Sequence, residues 1–267
     1  MRLLSRGRRI TVDADRLSSE IRDGSIRVVD VRKAADYNKG HLPSAVNLPL
    51  SELLLDDSPE RMGKLFGSMG IGDEMPVAVY DDTFGALASR VAWALEYIGH
   101  GDVSLLDVTY SGWTGIGLDT EQAAPEVRSA KHAVDPRDSI LATLEQTEKA
   151  VEDGAVLIDN RERLNYLEQH IPGSVNIPYR TLGSPDKIIR PSGELTRLLD
   201  NRDIPHGKEA ITYCGSVGTL SGLAYYALKS AGMEDVRLYV RSFKEWKALS
   251  KPTSKQEEAN YWDLSAE

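Results

Sequence analysis

The chain contains its own sequence twice. The run Gly40-His41-Leu42-Pro43-Ser44-Ala45-Val46-Asn47-Leu48-Pro49 recurs as Gln169-His170-Ile171-Pro172-Gly173-Ser174-Val175-Asn176-Ile177-Pro178, at an offset of 129. Further on, Tyr80-Asp81 returns as Tyr213-Cys214 at an offset of 133. The later register also pairs Gly85 with Gly218, Leu95 with Leu228, Gly99 with Gly232 and Trp113 with Trp246. Matches in one order at two nearly equal offsets describe a duplicated domain with a short insertion in the second copy, not a solenoid of short repeats. The copies part at one chemically decisive place: Cys214, the only cysteine, stands where the first copy carries Asp81. One reactive centre in a doubled frame reads as one working half and one supporting half.

The 267 residues suit two domains of ordinary size, each able to bury its own core. An apolar fraction of 41% with 27% charged residues is that of a soluble globular protein. No run approaches the roughly 18 apolar residues of a membrane span, and no apolar core of a signal peptide is present. The arginine-rich start, Met1 to Ile10, reads as an exposed terminus. A single cysteine cannot form an internal disulfide, which favours a reducing, cytoplasmic setting. The net charge of −9 argues against nucleic acid as the main partner, so any anion site must be a local feature.

Both copies alternate strand and helix. In the first, Ser25 to Val31 and Met75 to Tyr80 are short β-branched runs of the kind buried in parallel sheets. Leu87 to Ile98 reads as an amphipathic helix stopped by Gly99, and Val103 to Leu106 as the next strand. The second copy repeats the order with Ala155 to Asp159, Glu209 to Tyr213, a helix from about Leu220 to Ala231, and Val236 to Tyr239. The expected fold class is α/β, each half a parallel sheet flanked by helices. Residues 1–122 form the first domain, the polar stretch 123–138 with Pro125 and Pro136 the linker, and 139–267 the second domain with a polar tail after Ser250.

Chemistry concentrates at Cys214-Gly215-Ser216-Val217-Gly218-Thr219, between the end of a strand and the start of a helix. Ligands of open α/β sheets bind at the carboxyl ends of strands. Two glycines let backbone N–H groups turn inward as an anion-binding nest, and the helix N-terminus adds partial positive charge. Such surroundings lower a thiol's pKa and supply a thiolate nucleophile. A lone cysteine out of context is most often an inert small hydrophobe; the strand–loop–helix setting reverses that reading here.

The order Asp-x-Arg, Tyr, His-[Ile/Leu]-Pro, Asn-[Ile/Leu]-Pro, then Tyr-Cys-loop-helix-Gly and a terminal Trp resembles the rhodanese (sulfurtransferase) family. The tandem arrangement with Asp81 in place of cysteine is similar to that of two-domain thiosulfate and 3-mercaptopyruvate sulfurtransferases. The resemblance runs from about Val28 to Trp246. It implies a relay in which the Cys214 thiolate takes sulfane sulfur from a donor, becomes a persulfide and passes the sulfur to a thiophilic acceptor. No metal or organic cofactor is implied. Cys214 matches the catalytic cysteine, and Gly215, Ser216, Val217, Gly218 and Thr219 match the loop whose amides hold the persulfide or the anionic donor. Arg161 matches an arginine that can face the donor's anionic group; its alternative is a salt bridge inside the domain. Arg163 and Arg180 are further candidate cations, while Arg241 reads as a surface residue whose alternative is a cation near the loop.

Three details bear on the substrate. The Cys-Gly-Ser start of the loop is similar to mercaptopyruvate-type loops, whereas thiosulfate-type loops carry basic residues there. The following order, Val217-Gly218-Thr219, departs from the family's Gly-Val-Thr and moves the position that tolerates positive φ by one residue. Similarity to mercaptopyruvate-type enzymes also raises a proton-transfer role for Ser216 with His41 and Asp30. His41 and His170, being present in both copies, read instead as hydrogen-bonders that fix a turn. Asp81 and Asp82 read as solvated or helix-N-terminal acids.

The expected function is a sulfurtransferase moving sulfur from 3-mercaptopyruvate in preference to thiosulfate, through Cys214, to cyanide, a small thiol or a thioredoxin-like protein. A rhodanese-fold phosphatase or arsenate reductase needs an arginine six residues after the cysteine, where this chain has Leu220. A silent binding module on the same fold is the alternative.

Overall fold

A computed structural model describes residues 9–256; the arginine-rich start before Arg9 and the tail beyond Gln256 lie outside the described residues. The chain divides into two compact units. Unit 1 comprises Met1–Arg137 with Asp186–Ile188, and unit 2 the remainder from Asp138.

In unit 1 the order is β1 (Thr11–Val12), α1 (Ala14–Arg22), β2 (Arg27–Asp30), α2 (Ala34–Tyr37), β3 (Val46–Asn47), α3 (Leu50–Leu53) and α4 (Pro59–Ser68), then β4 (Val77–Tyr80), α5 (Ala86–Tyr97), β5 (Val103–Leu106) and α6 (Tyr110–Gly115). Its sheet runs β1-β5-β4-β2-β3 with every pairing parallel. Unit 2 repeats this with α7 (Leu144–Asp153), β6 (Val156–Asp159), α8 (Arg163–Glu168), β7 (Val175–Asn176), α9 (Ser192–Asp200), β8 (Ala210–Tyr213), α10 (Thr219–Ser230), β9 (Val236–Leu238) and α11 (Ser242–Ala248). Its sheet runs β7-β6-β8-β9, again all parallel. A single parallel bridge from Leu141 to Leu238 stands where β1 pairs in unit 1.

The strands β4 and β8 are buried along their whole length, as expected of strands covered on both faces. Each lies between two partners in its sheet, so the residue that follows, Asp81 or Cys214, emerges at the centre of the sheet's carboxyl edge. The helices that come next are buried on nearly every side, Ser89, Arg90 and Glu96 of α5 included, rather than striped as the periodicity suggests. Both open on a left-handed glycine, Gly85 at φ 79° and Gly218 at φ 77°.

The ends of the copies are tied back in the same way. His41 pairs with Glu121 and His170 with Ser254, while Trp113 Nε1 donates to Asp119 O and Trp246 Nε1 to Pro252 O. The first residues after Ser250 are therefore bonded to unit 2. The proline-bearing stretch before Asp138 is likewise attached to unit 1: Ala130 N donates to Gly67 O and Asp135 N to Ile98 O. Among the described residues no helix is long and apolar enough to cross a membrane.

Candidate active site

Cys214 is a free thiol, 2% exposed, at the first position after β8. Gly215 beside it is exposed, and a Cβ placed there would meet nothing within 4 Å, so the approach over this part of the loop is open. Ser216, Val217 and Thr219 are half-buried. Gly218 is the loop residue with positive φ, and Val217 does not need it. Unit 1 has the same requirement at Gly85, preceded there by Phe84 at φ 59°. The Val-Gly order therefore fits this backbone as it stands.

The loop is braced from the start of α11. Cys214 N donates to Ser242 Oγ at 3.2 Å, and Phe243 N donates to Cys214 O at 3.1 Å. Ser242 is fully buried with φ 56°, donates to Tyr239 O at 2.8 Å, and holds its hydroxyl 3.8 Å from Cys214 Sγ. A non-glycine residue in the left-handed region at such a place is a feature of functional loops. Ser242 is the residue that sequence reasoning missed. Its signal was the Ser-x-x-x-Trp turn, which gives no hint that the serine reaches the cysteine.

Arg161 makes the salt bridge inside the domain, the second of its two readings. Its Nε donates to both oxygens of Asp159, at 3.0 and 3.1 Å. Nη2 donates to Asp159 Oδ2 at 2.5 Å and to Gln169 O at 2.6 Å. Its guanidinium lies 4.1 Å from the centroid of Phe243. Arg32 repeats the pattern in unit 1 with Asp30, Gly40 O and the face of Tyr110. An arrangement built in both copies serves the fold, so the salt bridge inside the domain is the arginine's main engagement; Nη1 is the nitrogen outside that set. Burial opposes the charge, but hydrogen bonds and the charge of Asp159, followed by Tyr213 and Cys214, raise the pKa above the ordinary arginine value. The cation thus stands within electrostatic reach of the thiol.

The other candidates separate cleanly. Arg180 pairs loosely with Glu162 on the surface at 3.7 Å, Arg163 lies beside the Tyr166 ring, and Arg241 is exposed. His41 and His170 each bond a tyrosine carbonyl through Nδ1, at 3.0 and 2.7 Å, and stack on that tyrosine's ring. They are turn-fixing groups. Asp30 is fully buried and held by Arg32 and the Tyr80 hydroxyl, and His41 is fully buried too.

Asp81 is neither solvated nor a simple helix cap. It is 2% exposed, and its carboxylate accepts from Thr83 N at 2.9 Å, Gly85 N at 2.8 Å, Leu87 N at 2.8 Å and Ala88 N at 3.0 Å. The Thr83 hydroxyl adds a fifth bond at 2.8 Å. The loop after β4 is thus an amide cradle wrapped around a carboxylate. By the offset of 133, the counterparts of these four residues are Ser216, Gly218, Leu220 and Ser221, and that of Asp81 is Cys214.

The family profile described as the Rhodanese-like domain matches residues 13–115 and again 143–249. The 3-mercaptopyruvate sulfurtransferase of Escherichia coli is 27% identical, the match covering 89% of this chain and 94% of the relative. The thiosulfate sulfurtransferase of Azotobacter vinelandii is 26% identical over 89% of this chain and 93% of its own. Among solved structures, SseA from Escherichia coli, described as having the rhodanese fold of 3-mercaptopyruvate sulfotransferases, superposes with a TM-score of 0.78. It is 25% identical, and the match covers 86% of this chain and 97% of that one.

Proposed function

The chain belongs to the rhodanese family, and from that premise we propose that Cys214 carries sulfane sulfur from a small anionic donor to an external thiophile. The enzyme is a sulfurtransferase of the thiosulfate and 3-mercaptopyruvate type. The observation that carries the site assignment is the occupied cradle of unit 1. The same strand–loop–helix frame holds a carboxylate at Asp81 with four backbone N–H groups. In the second copy this frame surrounds a cysteine, whose thiolate and persulfide forms are the anions it would hold.

The thiolate of Cys214 attacks the donor's outer sulfur. The bond from that sulfur to the rest of the donor breaks, and the electron pair leaves with sulfite or with the enolate of pyruvate, which then takes a proton. Cys214 is left as a persulfide. Cyanide or a thiolate attacks the outer sulfur, the S–S bond breaks, and the thiolate returns. With one cysteine in the chain nothing internal can resolve the persulfide, so the acceptor must come from outside: cyanide in the assay, a small thiol or a thioredoxin-like protein at work. Gly215 to Thr219 supply the cradle, Ser242 fixes its base, and Arg161 contributes a nearby positive charge. In this division of labour residues 139–267 form the catalytic half and residues 1–122 the supporting half, joined by 123–138. A reducing, cytoplasmic setting suits a working thiol.

The donor is 3-mercaptopyruvate in preference to thiosulfate. Thiosulfate is a compact dianion, best held by cations close to the cysteine. The loop offers neutral Gly215, Ser216 and Val217, and Arg161 is already engaged by Asp159. A monoanionic donor with a carbonyl asks less of this site, and its departing enolate suits amide donors. Catalytic thiocyanate release and a mass gain of one sulfur atom on the intact protein test the reading. Cys214→Ser is expected to show neither, and turnover by that variant would end the proposal.

A further inference from the structure

Two buried histidines of unit 1 have no part in this chemistry. His100 follows Gly99 after α5 and is 2% exposed; His132 belongs to the proline-bearing stretch and is 8% exposed. Their ring centroids are 5.4 Å apart, and His132 Nε2 lies 3.3 Å from His100 Nδ1. The outer nitrogens are both engaged. His132 Nδ1 is 2.7 Å from Ala133 O, and His100 Nε2 is 3.2 Å from Asp102 O. A carbonyl only accepts, so each outer nitrogen must carry a hydrogen.

A neutral imidazole has one N–H. Two neutral rings would commit both hydrogens to the carbonyls and leave two lone pairs facing each other at 3.3 Å. Two imidazolium rings would oppose two N–H groups and two charges in a buried place. The backbone of Met75 also bonds His100, so the acceptors around the pair outnumber the two N–H groups of neutral rings, and one extra proton supplies a third.

We propose that His100 and His132 share one proton, and that this proton fastens residues 129–135 onto unit 1. The segment is the last stretch of unit 1 before unit 2 begins at Asp138. It lies across a strip of glycines where no side chain would fit. A Cβ on Gly63 would come 2.4 Å from Val134, one on Gly67 2.6 Å from Ala130 O, and one on Gly99 2.9 Å from Asp135 O. Its other polar ties are Ala130 N to Gly67 O, Ala133 N to Asp73 Oδ1 and Asp135 N to Ile98 O. The charged groups around the pair are Asp102 beside His100, Asp73 after α4, Glu60 and Lys64 on α4, and Lys131 and Asp135 of the segment itself.

The pH dependence follows from counting protons. Once released, each ring titrates near the ordinary value of about 6.5. Above that value the free rings bind no proton while the clasp binds one, so the attachment weakens as pH rises. Below it the free rings bind two protons. Burial, then the charge of His132, holds His100 below the ordinary histidine value, so the clasp stays at one and weakens as pH falls. Attachment therefore passes through a maximum, each limb changing by at most about tenfold per pH unit for one proton. A pair with no shared proton gives the acid limb alone.

The test uses the full chain with 15N-labelled histidine, over the span of about two units either side of the ordinary histidine value. The imidazole nitrogens report protonation, and hydrogen exchange at Ala130, Ala133 and Asp135, corrected for intrinsic rates, reports attachment. One proton per pair and protection falling on both sides are expected. His132→Gln should abolish the alkaline limb. Protection that rises to a plateau with pH, an alkaline limb that survives in His132→Gln, or an alkaline attachment restored by zinc(II) ions would overturn the shared proton.

Discussion

Asp81→Ala removes the acceptor from an amide cradle without touching Cys214, and the cost can be worked from burial. Thr83 is exposed, so water can replace the carboxylate at its N–H. Gly85 and Ala88 are buried, and their N–H groups, now 2.8 and 3.0 Å from the carboxylate, would be left without a partner. Each orphaned buried donor costs about 1–3 kcal/mol, and losing an anion at the start of α5 adds roughly 0.3–1 kcal/mol. The expected destabilisation is about 3–5 kcal/mol. For a unit of this size that lowers the melting transition by roughly 10 °C, taking about 2–4 °C per kcal/mol. Asp81→Asn keeps one acceptor oxygen and should lose about half as much. Calorimetry with urea unfolding reads both variants. Specific activity, assayed below the new transition, should stay within a few-fold of wild type, because the carboxylate is consumed by its own loop. An Asp81→Ala protein as stable as wild type would show that the cradle does not depend on its anion, and the analogy with Cys214 would fall with it.

The remaining expectations concern unit 2. Arg161→Ala leaves the Asp159 carboxylate buried and unpaired, which costs about 3–5 kcal/mol. Its main signature should be a lowered melting transition of the purified protein, with any rise in KM secondary; a large KM effect at unchanged stability would return the arginine to the donor site. Wild-type kcat/KM should be higher for 3-mercaptopyruvate than for thiosulfate, measured as thiocyanate or pyruvate release. Replacing Gly215 and Ser216 by Arg and Lys should move that ratio toward thiosulfate, since charge-assisted hydrogen bonds are the stronger ones. A wild-type preference for thiosulfate would refute the donor assignment alone.

The duplication made the architecture legible. Strands β2, β4, β6 and β8 are short apolar runs whose burial on both faces is written in the residues themselves, and α5 and α10 begin and end within one residue of their expected limits. Long-range polar geometry was not legible. The pattern Asp-x-Arg does not say whether the guanidinium turns outward to a ligand or back to its own aspartate. Here Asp159 is fully buried, and an uncompensated charge there decides the matter. Ser242 and Cys214 lie 28 residues apart, and only folding brings a hydroxyl to the cysteine amide. The stretch around His132 reads as a linker by composition because what it packs on is distant in sequence, Gly63 and Gly67 on α4 and Gly99 after α5.

The two copies together give a reason for the aspartate as well as for the cysteine. A cradle of inward amides at a helix N-terminus is favourable only when something negative fills it, since buried N–H groups without partners destabilise the fold. Asp81 fills it with a carboxylate that accepts five bonds from the residues after β4. A cysteine fills it conditionally: the neutral thiol is a poor partner, while thiolate and persulfide are good ones. The same cradle around Cys214 would favour an anion there over a neutral side chain. On this argument Cys214→Asp should be more stable than Cys214→Ser, and inactive. If the aspartate variant proved the less stable of the two, the cradle around Cys214 would not be the anion site that unit 1 displays.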